Sequence, residues 1–269
     1  GNVRTRRLIV IKYGGHAMTD DSLQNAFAKE VVALQQSGKQ PVVVHGGGPQ
    51  IEAALEKLGI KSEFISGLRV TTPEIMSVVQ QVLCGEVLRS VVSSINNAGG
   101  KAVGVTGRDS NLITAIRKPK IINGESIDLG LVGEIDHVDA SVVTTLLADG
   151  YIPVIAPVSQ DKNGEPLNVN ADIAAGAIAG ALKAELALFL TDVSGLYRNW
   201  PDEGSLISEI SNIDARELLP TLSAGMIPKI TACLNAIDSG ATCARISDGR
   251  ISGAITNAVS GTVGTLVYS

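Results

Sequence analysis

Leu8-Ile9-Val10-Ile11-Lys12-Tyr13-Gly14-Gly15 and Pro41-Val42-Val43-Val44-His45-Gly46-Gly47-Gly48 decide the fold. Each is a short, β-branched, apolar run that ends in glycine, as a strand buried on both faces would. Each leads into a segment with helical spacing. Residues 22–36 carry Leu23, Phe27, Val31 and Leu34 on one face, and Gly38 closes the run. Pro49 stands where a first helical residue is favoured and opens a helix through Leu58. Strands that alternate with helices in this way imply a parallel sheet between helical layers.

The same alternation continues outward. Thr72-Pro73 caps a long helix with Ile75, Val79, Val82 and Leu83 on one face and a stop near Gly99-Gly100, followed by a strand over residues 102–105. Between residues 112 and 138 apolar residues alternate around Asn123-Gly124 and Gly130, which predicts hairpins. A helix over 140–148 and a strand over 152–155 come next, then an Ala-rich helix over 171–182 with close-packing glycines. A second series follows: a strand over 186–190, a turn or hairpin over 197–209, a helix over 225–238, and short strands at 243–246 and 265–268. The expected fold is α/β, a mostly parallel open central sheet with helices on both faces, an αβα sandwich. Two lobes are expected, 1–180 and 181–269, because the second series starts at Leu186.

Composition narrows the function. At 269 residues the chain holds one large domain or two small ones. A net charge of −5 disfavours general binding to nucleic acid or anionic lipid. Aromatics at 3% are too few for a base-stacking surface. Cys84, Cys233 and Cys243 form no Cys-x-x-Cys pair, so neither a disulfide framework nor a cysteine-held zinc is expected. The basic Arg4-Thr5-Arg6-Arg7 precedes an apolar run too short for the roughly 7–15 residues of a signal peptide. The uncharged stretch over 173–182 falls short of the ~20 residues that span a bilayer. No membrane association and a cytoplasmic setting are expected.

In open α/β sheets, ligands bind at the carboxyl ends of strands. Lys12-Tyr13-Gly14-Gly15 and His45-Gly46-Gly47-Gly48 both stand there. Backbone N–H groups, helix N-termini and the Lys12 charge suit a phosphate or carboxylate. P-loop, dinucleotide, nucleophile-elbow and His-Glu-x-x-His patterns are absent. His16, His45 and His137 show no ligand spacing, and no metal site is read from the chain. His45 is read as a positioning residue, His16 and His137 as solvated.

Four further stretches carry candidates. In Gly67-Leu68-Arg69-Val70-Thr71 the arginine suits bidentate capture of a carboxylate, with a surface ion pair as the plain alternative. In Leu167-Asn168-Val169-Asn170-Ala171-Asp172 the two asparagines share a side if extended, and Asp172 falls in the first turn of a helix. An ordinary cap explains one of these three polar residues. Thr191-Asp192-Val193-Ser194-Gly195-Leu196-Tyr197 opens from a strand end and suits a nucleotide, although a simple turn is the alternative. In Ser223-Ala224-Gly225-Met226-Ile227-Pro228-Lys229 the proline places Lys229 near a helix N-terminus, where it opposes the helix dipole unless an anion binds.

Together these motifs resemble the amino acid kinase family over nearly the whole chain, from Leu8 to Gly264-Thr265. The His45-to-Gly48, Gly67-to-Thr71 and Leu167-to-Asp172 stretches are most similar to members that phosphorylate N-acetylglutamate. The resemblance implies ATP-dependent phosphorylation of that side-chain carboxylate, in arginine biosynthesis. It implies that Lys12 and Lys229 stabilise the transferring phosphoryl group and that Asp172 orients them. Gly15, Gly47 and Gly48 would donate N–H groups, Arg69 and Asn168 would hold the α-carboxylate, and Asn170 would order the site. Gly14, Gly15, Asp192, Val193, Ser194, Gly195, Leu196, Tyr197, Gly225 and Met226 would contact ATP, with Mg²⁺ carried largely by its phosphates. The first lobe would hold acetylglutamate and the dimer contacts, the second lobe ATP. A homodimer or higher homo-oligomer is implied, and a nitrogen-signalling partner is left open. Arginine-inhibited members carry an extra N-terminal helix and a late glutamate. After Asp248-Gly249-Arg250 this chain runs Ile251-Ser252-Gly253-Ala254-Ile255-Thr256-Asn257-Ala258 without an acid, so arginine feedback and the hexamer that accompanies it are left open. Three readings compete with it: an enzyme for N-acetyl-aminoadipate or a carrier-bound acid, a catalytically silent binding member, and a phosphate-binding structural module.

Overall fold

The computed structural model describes residues 7–269; Arg4, Thr5 and Arg6 of the basic run lie outside them. The strand Leu8–Tyr13 pairs in parallel with Gln40–His45 on one side and Leu186–Thr191 on the other. From this centre the sheet grows to eight strands. Their order is Glu209–Ser211, Thr265–Tyr268, Cys243–Asp248, Leu186–Thr191, Leu8–Tyr13, Gln40–His45, Ile152–Ala156 and Ala102–Thr106. Every adjacent pair is parallel except Cys243–Asp248 with Thr265–Tyr268. The sheet is mostly parallel, as the alternation of strands and helices predicts.

All six residues of Leu186–Thr191 and all five of Ile152–Ala156 are buried, which requires cover on both faces. One helical layer joins Asp21–Gln36, Leu88–Asn97 and Ala254–Val259, and the other packs Ala171–Ala181 against Ile227–Ser239. A methyl group placed on Gly176 would lie 2.7 Å from the Ala232 carbonyl oxygen, so glycine lets the last two helices touch backbone to backbone.

Some of the remaining expectations hold and others need correction. The helix from Thr72, whose side chain accepts from Ile75 N, is a continuous run Pro73–Asn97 that contains a π-helical segment, Gln81–Val87. At 25 residues it is long and apolar enough to cross a membrane by composition alone, unlike the short stretch singled out in the sequence. Ile75, Met76, Val79, Leu83, Leu88, Val91 and Ile95 on this run are buried in the core of the fold. Asn123 and Gly124 both take positive φ and turn a hairpin between Lys120–Ile122 and Glu125–Ile127. Gly130 turns no hairpin; it bridges to Thr71 instead. The strands Ile113–Arg117 and Gly133–Val138 pair antiparallel in a separate four-stranded sheet with Ser159–Gln160 and Pro166–Leu167. The short helices Asn212–Leu218 and Ala254–Val259 were not expected, being too brief to show a helical period. The first carries a cap in its sequence, since Ser211 Oγ accepts from Asp214 N.

Candidate active site

The sheet register sets Tyr13 beside His45 and Lys12 beside Val44 and Phe189. The two glycine turns and the loop after Thr191 therefore leave the sheet at one edge. Helix N-termini arrive at the same place. Gly48–Lys57 begins directly after Gly47, and Ala171–Ala181 begins after Asn170. A cleft of about 220 Å³ opens here. Lys12, Gly14, Gly15, Gly47, Gly48, Arg69, Asn168, Asn170 and Asp172, all singled out in the sequence, line it. Ile51, Leu83, Val132 and Pro157 supply much of its apolar wall. Nothing in their local sequence sets these four apart from core residues, and only the fold brings them together.

Asp172 lies at the centre of the charge arrangement. Its Oδ1 is 3.2 Å from Lys12 Nζ and its Oδ2 is 3.8 Å from Lys229 Nζ. Lys12 comes from the end of the first strand and Lys229 from the first turn of Ile227–Ser239, where Pro228 also sits. One carboxylate thus joins cations from opposite halves of the sequence. Burial alone would raise the Asp172 pKa, but Lys12 and Lys229 outweigh it and hold the carboxyl below the usual range. Asp172 is therefore an anion at neutral pH, held between two cations.

Arg69 is buried rather than on the surface. Its Nη1 donates to Glu52 Oε1 and, at 2.9 Å, to Ser62 Oγ, and its guanidinium lies 4.7 Å from the Phe64 ring centroid. The ion-pair alternative thus holds for part of the fork, while Arg69 still lines the cleft. Asn168 Nδ2 donates to Thr71 Oγ1 at 3.3 Å, and Thr71 Oγ1 donates to the Arg69 carbonyl at 2.7 Å. Asn168 and Arg69 are thereby tied through Thr71, a residue quoted in the motif without a role. Asn170 accepts from Ile173 N through Oδ1 at 3.1 Å, so it caps its helix as the plain reading holds.

Gly14 and Gly15 line this cleft, whereas the other residues expected to contact nucleotide, Asp192 to Tyr197, Gly225 and Met226, are not part of its lining. Asp192 reaches toward the first glycine turn: Oδ1 accepts from His16 N at 3.2 Å, and Oδ2 is 2.6 Å from His16 Nδ1. His16, read as merely solvated, is thus engaged although its side chain is 79% exposed. Gly15 has φ of +73°, and a methyl on it would lie 2.6 Å from Asp192 Oδ1, so only glycine suits this contact. Val193 is half-buried and Ser194 exposed. Gly195 packs closely on Thr265, whose Oγ1 accepts from Leu196 N at 2.9 Å. The Tyr197 ring meets Trp200 edge-on at 4.8 Å. Gly225 is exposed and Met226 begins the helix that carries Lys229. Among the described residues no group of three or more His, Cys, Asp or Glu side chains is placed to hold a metal ion.

Comparison with known proteins agrees with this architecture. The chain matches the model of the amino acid kinase family over residues 7–248. It is 52% identical over 245 residues to an acetylglutamate kinase of Mycobacterium sp. (strain JLS), covering 91% of this chain and 84% of that protein. It is 53% identical over 249 residues to an acetylglutamate kinase of Arthrobacter sp. (strain FB24), covering 90% of this chain and 80% of that one. Its fold is similar to that of N-acetylglutamate synthase from Neisseria gonorrhoeae, with a TM-score of 0.84 at 23% identity, over 99% of this chain and 60% of that chain. Carbamate kinase from Giardia lamblia bound to AMP-PNP superposes with a TM-score of 0.69 at 18% identity, over 97% of this chain and 98% of that chain. These two structural likenesses speak to fold alone. With the family model matched over most of its length and curated relatives half identical to it, the chain belongs to the amino acid kinase family.

Proposed function

We propose that this protein transfers the γ-phosphoryl group of ATP to the side-chain carboxylate of N-acetyl-L-glutamate, forming N-acetyl-L-glutamyl 5-phosphate and ADP in arginine biosynthesis. The observation that carries the mechanism is the bridge from Asp172 to both Lys12 and Lys229 at the carboxyl edge of the sheet. The identity of the half-identical relatives supports the substrate.

The acceptor is already an anion, so its oxygen attacks phosphorus without a general base. The new O–P bond forms as the bond to the ADP oxygen breaks. What the protein must supply is alignment and neutralisation of the charge on the transferring group. In this reading Lys12 and Lys229 provide the neutralisation, and Asp172 keeps both ammonium groups in place without taking a proton. The Gly15, Gly47 and Gly48 N–H groups donate to phosphoryl or acceptor oxygens. Arg69 and Asn168 hold the α-carboxylate, and Asn170 keeps the adjoining helix start in register. ATP lies along the second lobe, 181–269, against Gly14, Asp192 to Tyr197, Gly225 and Met226. Acetylglutamate and the contacts of a homodimer or higher homo-oligomer belong to the first lobe, 1–180.

In this reading Mg²⁺ is carried largely by the ATP phosphates. There it would add positive charge. The setting assigned to this ATP-consuming biosynthetic step is the cytoplasm.

A coupled assay of ADP release over a panel of acids tests the assignment. N-acetylglutamate should support turnover, glutamate should not, and N-acetyl-aminoadipate should turn over more slowly. One methylene is worth only about 1–3 kcal/mol, so the last difference is roughly 10- to 200-fold. Binding of ATP and N-acetylglutamate without ADP release would overturn the enzymatic reading.

A further inference from the structure

His45 ends the strand Gln40–His45 and is fully buried. Its Nδ1 lies 2.7 Å from the carbonyl oxygen of Gly46. A carbonyl oxygen only accepts, so Nδ1 must carry the proton. The other ring nitrogen, Nε2, is buried with no hydrogen-bond partner among the described residues. Burial lowers the His45 pKa to about 4, with the Gly46 contact opposing it, so the ring is neutral at physiological pH. A neutral ring protonated on Nδ1 leaves Nε2 as a bare lone pair. The pocket thus satisfies one nitrogen and neglects the other.

The satisfied nitrogen acts on a particular peptide. Gly46 N donates to the Tyr13 carbonyl at 2.8 Å, which ties the front of the turn to the first strand. Behind it, the Gly46 carbonyl and the Gly47 N–H share one peptide plane and point in opposite directions. Pinning that carbonyl on the His45 side therefore aims the Gly47 N–H the other way. Gly46, Gly47 and Gly48 all line the cleft. Between glycines such a plane has little steric resistance to rotation. The hydrogen bond from the imidazole supplies the resistance that side chains would supply elsewhere.

We propose that His45 is a positioning residue that aims the Gly47 N–H at the bound acid by holding the Gly46 carbonyl through Nδ1. The inference rests on the functional reading above for the identity of that acid. It goes beyond that reading by assigning the atom, the tautomer and the peptide on which His45 acts.

Two side-chain amides separate the nitrogens. His45→Asn places an NH₂ close to the position of Nδ1, whereas His45→Gln places it near that of Nε2, and His45→Leu has no donor. Steady-state kinetics should show His45→Asn within about threefold of wild type in kcat/KM for N-acetylglutamate. The Gln and Leu variants should lose on the order of 10- to 100-fold, mainly through a raised KM for N-acetylglutamate, with the KM for ATP unchanged. Thermal midpoints of the three should not follow that ranking. Equal activity in the Asn and Gln variants, or losses that track the thermal midpoint, would overturn the proposal. The ring can also be read directly in the unmodified protein. Its ¹⁵N shifts should report a protonated Nδ1 and a bare Nε2, and the reverse tautomer would end the argument. Failure of the wild type to release ADP with N-acetylglutamate would instead overturn the functional reading, while the ¹⁵N spectrum still tests the hydrogen bond.

Discussion

Asp172 contributes the buried negative charge between two ammonium groups. Lys12 and Lys229 are 11% and 23% exposed, enough to meet a ligand yet dry enough for their charge to count. Lys229→Met should lower kcat by more than about 100-fold with a small change in either KM, because the role proposed for it is confined to the transition state. A rise in KM at unchanged kcat would show that it only binds ground-state ATP. His45 makes a second prediction through its protons. Its folded pKa is about 4 against an ordinary 6.5, so the unfolded chain binds a proton that the folded chain refuses between those values. Stability is full above pH 6.5 and falls as pH drops toward 4, by up to roughly 3 kcal/mol from this one residue. Urea midpoints should therefore decline less over that window in His45→Asn than in wild type; parallel curves would refute the burial account. Lys12, Asp172 and Lys229 were legible in the sequence because each stands at a strand end or in a first helical turn. The Asp192–His16 contact was not, since 176 positions separate the partners and neither carries a motif that names the other.

The elements matter here for how closely they approach. Ala171–Ala181 carries Asp172 and Ile227–Ser239 carries Lys229, and Gly176 lets these two helices pack against each other. Gly176→Ala should force them apart, lengthen the bridge and lower kcat, with a stability loss of about 1–3 kcal/mol from overpacking. An unchanged kcat alongside a lowered thermal midpoint would mean that the bridge tolerates the shift. Glycines in an Ala-rich helix announce such packing, although not the partner. The π-helical segment Gln81–Val87 was less accessible to reading. Its apolar residues fit an ordinary helical period, yet the widened turn sits where Leu83 meets Gly47 at the cleft, and a methyl on Gly47 would lie 2.5 Å from Leu83 Cδ2. Periodicity reports which face is apolar, not one extra residue per turn.

At the scale of the whole molecule, one sheet runs through both halves of the sequence. Leu8–Tyr13 lies between Gln40–His45 and Leu186–Thr191, so the lysine at its end is flanked by loops from both halves. Strand–helix alternation made the layers and the parallel sheet legible, but it does not say which strands become neighbours. The insertion of Leu186–Thr191 beside the first strand is a tertiary choice. So is the antiparallel pairing of Cys243–Asp248 with Thr265–Tyr268. The account as a whole requires that Lys12 and Lys229 serve one chemical event, transfer of phosphoryl from ATP to a carboxylate. Trapping the acyl phosphate with hydroxylamine, in wild type and in Lys229→Met, measures that event directly. The prediction is one hydroxamate per ADP in the wild type, dependent on N-acetylglutamate, and a rate at least about 100-fold lower in the variant. ADP formed without hydroxamate, or hydroxamate formed equally fast without the Lys229 ammonium, would contradict it.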